Sequence, residues 1–186
     1  MSDLLALALD AARAGGDAIL GYYGRPITVD AKADDSPLTQ ADLAAHRTIV
    51  SALASSGIPV LSEESPADEV AARKTWTRFW CVDPLDGTKE FIKGAPKAEG
   101  DPRPANSGDF TVNIALIEDG APVLGVVHVP VHGVTYFAAS GEAWKQSGDD
   151  APVRISTRPA PADALTVVAS KDHAGPEVAA IIERVE

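Results

Sequence analysis

The hydrophobic positions of the chain recur with two periods. Residues 3–23 and 38–53 carry apolar side chains at helical spacing, which predicts two amphipathic helices. The predicted inner face of the second helix consists of Leu43, His46, Val50 and Leu53. Residues 110–117, 123–129 and 134–139 instead alternate and predict an antiparallel meander. Shorter runs predict strands at 27–31, 58–61, 79–83, around Trp144, and at 153–156 and 165–169, with a helix at 176–185.

The stretch 79–92 joins a predicted strand to a predicted helix. Its apolar first half predicts a buried strand that ends at Asp83. Pro84 has no N–H to donate, so we expect it to stop the strand pairing. Asp86 and Gly87 then form a tight turn, from which the helix follows.

This turn could hold both a cation and an anion. The carboxylates of Asp83 and Asp86 can converge on one point, and oxygen ligands suit a hard cation such as Mg²⁺. The backbone N–H groups of Gly87 and Thr88 lie at a helix start, where free donors favour an anion. A cation site beside an anion site is what metal-assisted phosphate chemistry needs. The alternative is an ordinary Asp-Gly hairpin turn, which residues 89–92 fit less well because they do not alternate.

Three further acidic residues have two interpretations each. Glu63 and Glu64 follow a predicted strand and are either solvated or, because like charges repel, gathered around a cation. Asp42 has capping-box spacing from Thr39, and the functional alternative is a carboxylate that supports a metal site. His46 lies on an apolar stripe, so a packed, hydrogen-bonded histidine is favoured over a metal ligand.

Composition narrows the class of protein. The chain has 186 residues, enough for one domain with a sizeable core or for one domain and part of another, and its formal net charge is −11. This charge argues against binding to nucleic acid or anionic membranes, and a bound divalent cation would supply the positive charge that a phosphate substrate needs. The single Cys81 excludes an internal disulfide and is expected to be a buried, inert thiol.

No signal peptide is visible at the N-terminus, and no apolar stretch is long enough to cross a bilayer. We therefore expect no membrane insertion and a cytoplasmic location. The sequence indicates no particular oligomeric state.

Three motifs together resemble the inositol monophosphatase-like phosphatases, which are magnesium-dependent and lithium-sensitive. The motifs are Pro37-Leu38-Thr39-x-x-Asp42, Ser62-Glu63-Glu64 and Asp83-Pro84-Leu85-Asp86-Gly87-Thr88. Residues 86–93 and 110–117 are similar to the 3′(2′),5′-bisphosphate nucleotidase branch of that superfamily.

The resemblance implies an α+β fold, the αβαβα layered sandwich of the inositol monophosphatase/fructose-1,6-bisphosphatase type. Residues 1–157 would form the N-terminal metal- and phosphate-binding domain, and residues 158–186 the start of a C-terminal α/β domain. The family's second half carries a Trp-Asp-x-Ala-Ala element whose Asp completes the metal site, and this sequence ends before it. The implied second half is therefore incomplete. Residues 94–109 are expected to form an exposed loop, either a lid or a tolerated insertion.

The resemblance also implies residue roles. Mg²⁺ would be bound by Glu64, Asp83, the backbone carbonyl of Leu85, and Asp86. Gly87 and Thr88 would hold a substrate phosphate, and the catalytic residues would be Asp42, Glu64 and Thr88.

The implied reaction is hydrolysis of the 3′-phosphate of adenosine 3′,5′-bisphosphate, and of its 5′-phosphosulfate form, by metal-activated water in sulfur assimilation. The substrate is thus a small phosphorylated nucleotide. The alternatives are an inositol or sugar monophosphatase of the same fold, or an inactive fragment that needs the missing C-terminal part.

Overall fold

A computed structural model describes residues 3–25, 29–31, 37–94, 109–159 and 176–184. The chain divides into two compact units, Met1–Ile155 and Ser156–Glu186. In the second unit, the described residues include one helix, Pro176–Glu183. None of the described helices is long and apolar enough to cross a membrane.

The first unit contains four α-helices among its described residues. They are α1 (Asp3–Leu20), α2 (Gln40–Leu53), α3 (Ala67–Ala72) and α4 (Thr88–Gly94). Short 3₁₀ turns occupy Ala54–Ser56, Arg73–Thr75 and Pro130–His132. The helix of the second unit is α5.

The strands form two sheets. In the small sheet, β1 (Val29–Ala31) pairs antiparallel with β2 (Pro37–Thr39). The large sheet has seven strands in the order β3-β4-β5-β6-β7-β8-β9, in which β3 and β4 are parallel and all later neighbours are antiparallel. Its strands are β3 (Val60–Ser62), β4 (Arg78–Asp86), β5 (Thr111–Glu118), β6 (Ala121–Val129), β7 (Val134–Ala139), β8 (Glu142–Ser147) and β9 (Val153–Ile155). The predicted α+β class and the antiparallel meander are confirmed.

One face of the large sheet packs against α1 and α2. Every second side chain of β4 and β5 is buried there, including Trp80, Val82, Val112 and Ile114. Small residues allow the close approach of α1, since a Cβ on Gly16 would lie 2.7 Å from His128 Cδ2. This agrees with the helical and alternating periods of the sequence.

The second helix differs from its prediction in two ways. It begins at Gln40, because Leu38 and Thr39 belong to β2 and Thr39 has an extended backbone. Its buried residues are Ala41, Asp42, Ala45, Ile49 and Leu53. The predicted Leu43, His46 and Val50 are only partly buried. Two alanines on the inner face let α2 lie close to α1, whereas the prediction favoured the larger side chains.

Strand β4 also departs from its prediction. It continues through Pro84 to Asp86 instead of ending at Asp83, but its pairing with β5 shifts register between these two aspartates. Pro84, which offers no N–H, therefore interrupts the pairing without ending the extended chain.

The prediction of a buried Cys81 is wrong, because its side chain is exposed. It alternates with the buried Trp80 and Val82 and so points to the sheet face opposite α1 and α2. Although Cys81 is exposed to solvent, the surrounding protein partly desolvates its thiol and raises the pKa of this group. The charge of Asp83 adds to the rise, and the charge of Arg73 opposes it. A raised pKa keeps the thiol protonated, which fits the expectation of an unreactive cysteine.

Two predictions lie outside the described residues. The loop at 94–109 falls almost entirely on residues 95–108, and the strand at 165–169 falls within residues 160–175. Both stay predictions, as does the functional division of the chain at residues 157 and 158.

His128 is a buried titratable group between α1 and β6. Its Nδ1 lies 2.9 Å from Thr135 Oγ1. Burial is the main cause that lowers the pKa of His128, and the charge of Arg13 lowers it further. The charge of Asp17 opposes this shift. Because the folded-state pKa lies below the unfolded one, protonation favours the unfolded chain. The stability that neutral His128 contributes is therefore full above the unfolded pKa of about 6.5 and is lost as pH falls through the folded pKa.

We expect the free energy of unfolding to fall more steeply between about pH 7.5 and pH 5 in the unsubstituted protein than in His128→Gln, which cannot titrate. Urea denaturation followed by circular dichroism at several pH values measures this difference. Parallel pH profiles for the two proteins would show that His128 does not couple folding to protonation.

Candidate active site

Strands β3 and β4 bring acidic residues to one edge of the sheet. They are parallel, with Ser62 opposite Val82, and the Glu63 N–H donates to the Val82 carbonyl oxygen at 3.0 Å. Glu63 and Asp83 therefore follow the two strands at the same end. The negative charges lie close together because β3 and β4 are parallel neighbours and each carries an acidic residue at this end.

Asp83 is the most perturbed described carboxyl group. Its pKa is raised to about 7, first by burial and then by the charges of Glu63 and Asp86 and a hydrogen bond with Glu63. The Leu85 N–H donates to Asp83 Oδ1 at 3.2 Å and opposes the shift. Like charges thus crowd a half-buried position, where a cation would favour the ionised form.

The turn that follows Asp83 is held by one hydroxyl group. Thr88 Oγ1 lies 3.2 Å from the Leu85 carbonyl oxygen and 3.3 Å from Asp42 Oδ1. Gly87, which lies between Leu85 and Thr88 in the chain, has φ +91°, and a Cβ on it would lie 3.2 Å from the Asp109 carbonyl oxygen. This turn therefore requires glycine, and it brings Leu85, Thr88 and Asp42 together.

Asp42 performs a capping role and also touches the turn. It is 2% exposed, and its Oδ2 accepts hydrogen bonds from the Thr39 N–H at 2.8 Å and from the Thr39 hydroxyl at 2.5 Å. The Ala41 N–H donates to Thr39 Oγ1 at 3.2 Å, which completes the predicted capping box. The other oxygen, Oδ1, faces Thr88. The structural and functional interpretations of Asp42 are therefore compatible.

Asn113 on β5 is a site residue that the sequence reasoning missed. It lies opposite Asp83 in the β4–β5 register, and its Nδ2 donates to Asp86 Oδ2 at 3.3 Å. A signal was present, because Asn113 is the one polar residue within 112–117 and lies between the buried Val112 and Ile114.

Three of the predicted metal ligands, Asp83, Leu85 and Asp86, lie in one turn, and the fourth, Glu64, comes from another segment of the chain. Asp83 and Asp86 interact, the Leu85 carbonyl lies in the turn between them, and the charge of Glu63 and a hydrogen bond with it also act on Asp83. The Glu64 N–H donates to Ser62 Oγ at 3.4 Å. Within the described ranges, no three His, Cys, Asp or Glu side chains are already grouped to hold a metal ion. The ligand set therefore stays a prediction.

His46 is a packed residue with a hydrogen-bond partner. It is half-buried, and its Nδ1 lies 2.9 Å from Ser62 Oγ on β3. This contact agrees with the structural interpretation of His46. It ties α2 to the strand that precedes the glutamate pair.

The whole chain, residues 1–186, matches the profile of the inositol monophosphatase family. It belongs to that family. Two relatives are named 3′(2′),5′-bisphosphate nucleotidase CysQ. The one from Salmonella typhimurium is 47% identical over 93% of this chain and 65% of the relative. The one from Escherichia coli K12 is 47% identical over 90% of this chain and 63% of the relative. The chain thus spans slightly less than two thirds of the length of these relatives.

Solved structures of inositol monophosphatase family members share the fold. CysQ from Bacteroides thetaiotaomicron is 40% identical with a TM-score of 0.77, over 98% of this chain and 68% of that one. An inositol monophosphatase from Thermotoga maritima is 26% identical with a TM-score of 0.62, over 80% and 52%. The predicted family and its fold type are confirmed, and the similarity is higher to the CysQ proteins.

The capping network predicts a measurable coupling between Thr39 and Asp42. Thr39→Ala should cost about 1 kcal/mol as a lost N-cap. Asp42→Ala should cost roughly 1–3 kcal/mol, because the buried Thr39 groups lose their acceptor. The double variant should cost less than the sum, with a coupling of about 0.5–3 kcal/mol.

Urea denaturation of the four proteins measures this cycle. Thr75→Ala serves as the matched control, because the Thr75 hydroxyl bonds its own exposed turn, to the Ala72 carbonyl. Additive effects of the two substitutions would contradict the network.

Proposed function

We propose that this chain forms the metal- and phosphate-binding part of a phosphatase that removes the 3′-phosphate of adenosine 3′,5′-bisphosphate. The observation that carries the proposal is Asp83, whose pKa is raised to about 7 by burial and by Glu63 and Asp86. A divalent cation at this position would relieve the crowding of carboxylates. The same cation would neutralise an incoming phosphate, which a chain of net charge −11 would otherwise repel.

The donor set fits Mg²⁺. The proposed ligands Glu64, Asp83, the Leu85 carbonyl and Asp86 offer oxygen only, which a hard cation prefers. When bound, Mg²⁺ would neutralise phosphate charge and lower the pKa of a coordinated water. The chain's own contribution is to hold the aspartates on either side of Pro84.

Thr88 and Asp42 have a geometry suited to orienting a water molecule. A Thr88 hydroxyl that donates to the buried Asp42 Oδ1 keeps its lone pairs free to accept a hydrogen bond from water. Asp42 is itself held by the Thr39 N–H and hydroxyl, so its orientation is fixed before substrate arrives. Gly87 leaves its backbone N–H beside Thr88, and together they are the proposed phosphate contacts.

The relatives favour a nucleotide over an inositol phosphate. The bisphosphate nucleotidases CysQ of Salmonella typhimurium and Escherichia coli O157:H7 are 47% and 48% identical to this chain, whereas the inositol monophosphatase from Thermotoga maritima is 26% identical. The 5′-phosphosulfate form of the nucleotide is a second proposed substrate, because it differs only at the end remote from the 3′-phosphate.

Phosphate release from three substrates tests the assignment. The natural protein that contains this chain should hydrolyse adenosine 3′,5′-bisphosphate and its 5′-phosphosulfate form faster than inositol 1-phosphate, with Mg²⁺ present, and EDTA should abolish all turnover. Preference for inositol 1-phosphate would support the alternative, and turnover that persists in EDTA would refute the metal chemistry.

Asp83→Asn separates metal chemistry from folding. It should lower turnover by more than about 100-fold, since even groups that only support a ligand are worth roughly 10–100-fold. In EDTA the variant should be at least as stable as the unsubstituted protein, because it removes a charge that Glu63 and Asp86 repel. Cys81→Ser, two residues away on the same sheet face, is the control and should keep full activity. Normal turnover by Asp83→Asn would remove this residue from the proposed metal ligands.

A further inference from the structure

We propose that Asn113 is a positioning residue for the metal site: its amide nitrogen orients the Asp86 carboxylate, and its amide oxygen accepts a hydrogen bond from a water that the bound cation carries. The inference rests on the proposed function. It concerns a residue on β5, within residues 110–117, for which the sequence predicted no role in the site.

The sheet places Asn113 against both aspartates. It is directly opposite Asp83 across the β4–β5 pair, so the two side chains leave the same face of the sheet. The register then shifts, and Asp86 comes opposite Thr111. Asn113 therefore stands beside the interruption at Pro84, at the point where backbone pairing no longer fixes the spacing of the aspartates. The contact between Asn113 Nδ2 and Asp86 Oδ2 bridges β5 and β4 at this interruption.

The orientation of the amide is set by charge. Nδ2 lies 3.3 Å from Asp86 Oδ2 and donates to it. Rotating the amide by 180° would place its oxygen against the carboxylate, which is repulsive, so the observed orientation is the favourable one. This hydrogen bond occupies one Asp86 oxygen and leaves the other available as a ligand.

The amide oxygen is the second, independent observation. Among the described residues, Asn113 Oδ1 is buried without a hydrogen-bond partner. An unpartnered buried acceptor destabilises a fold, so a purely structural role does not explain why an amide occupies this position. An apolar side chain of the same size would avoid that cost. If a water of a hydrated cation donates to Asn113 Oδ1, both polar atoms of the amide have a partner, because Nδ2 already donates to Asp86.

Supporting contacts of this kind have a known effect. Groups that orient a metal ligand contribute roughly 10- to 100-fold to metal affinity or activity. A neutral amide suits this position better than another acid, because the strand register and the Asp86 contact already place two carboxylates, Asp83 and Asp86, beside Asn113.

The test compares an isosteric substitution with a matched control. Asn113→Leu removes the amide at nearly constant volume. Gln146→Met does the same on β8, where the Gln146 amide bonds Arg13 and the Asp150 carbonyl. Mg²⁺ binding is measured by isothermal titration calorimetry, and thermal stability is measured in EDTA and in saturating Mg²⁺.

We expect Asn113→Leu to weaken Mg²⁺ binding roughly 10- to 100-fold and to lose most of the Mg²⁺-dependent rise in Tm. In EDTA its Tm should equal or exceed that of the unsubstituted protein, because the unpartnered oxygen is gone. Asn113→Gln, which keeps the amide, should recover part of the affinity. Gln146→Met should bind Mg²⁺ as the unsubstituted protein does.

Two results would overturn the inference. The first is Mg²⁺ affinity unchanged in Asn113→Leu, and the second is a lower Tm in EDTA with an unchanged Mg²⁺-dependent rise, which is the outcome of a structural role. If the unsubstituted protein binds Mg²⁺ and releases phosphate, these results reject only the role of Asn113. If the unsubstituted protein binds no Mg²⁺, the proposed function fails and the inference fails with it.

Discussion

The crowding of carboxylates around Asp83 is the constraint on which the rest of the site depends. Burial and the charges of Glu63 and Asp86 raise the pKa of Asp83 to about 7. The fold sustains this unfavourable arrangement because β3 and β4 are parallel neighbours and end together. The opposite face of β4 buries apolar side chains such as Trp80 and Val82. The free energy gained by this burial offsets the repulsion between the carboxylates.

The supporting contacts come from separate parts of the chain. Asp42 at the start of α2 is held by the Thr39 capping box and reaches Thr88. Asn113 reaches Asp86 from β5. The helix start and the neighbouring strand thus limit the movement of the turn at 83–88, where pairing between β4 and β5 is interrupted. A turn constrained from both sides is suited to holding ligands in one geometry.

Much of the fold could be predicted because its apolar residues recur at regular helical or alternating spacing. The alternation along residues 110–139 identifies the meander, and the helical period identifies α1. Two errors share one cause, which is that local patterns do not report packing. The predicted inner face of α2 favoured large side chains, whereas the structure buries Ala41 and Ala45 to let the helix approach α1. Cys81 was expected to be buried, but the face to which it points is opposite the helices.

The sequence by itself determined the class of fold, the family and the acidic turn, because these depend on periodicity and on motifs of adjacent residues. Only the tertiary structure decided which groups meet. Glu63 acts on Asp83, Asp42 touches Thr88 across 46 positions of the chain, and Asn113 bonds Asp86. These contacts depend on strand order and register, which are set by packing over the whole sheet and which no local stretch of sequence encodes.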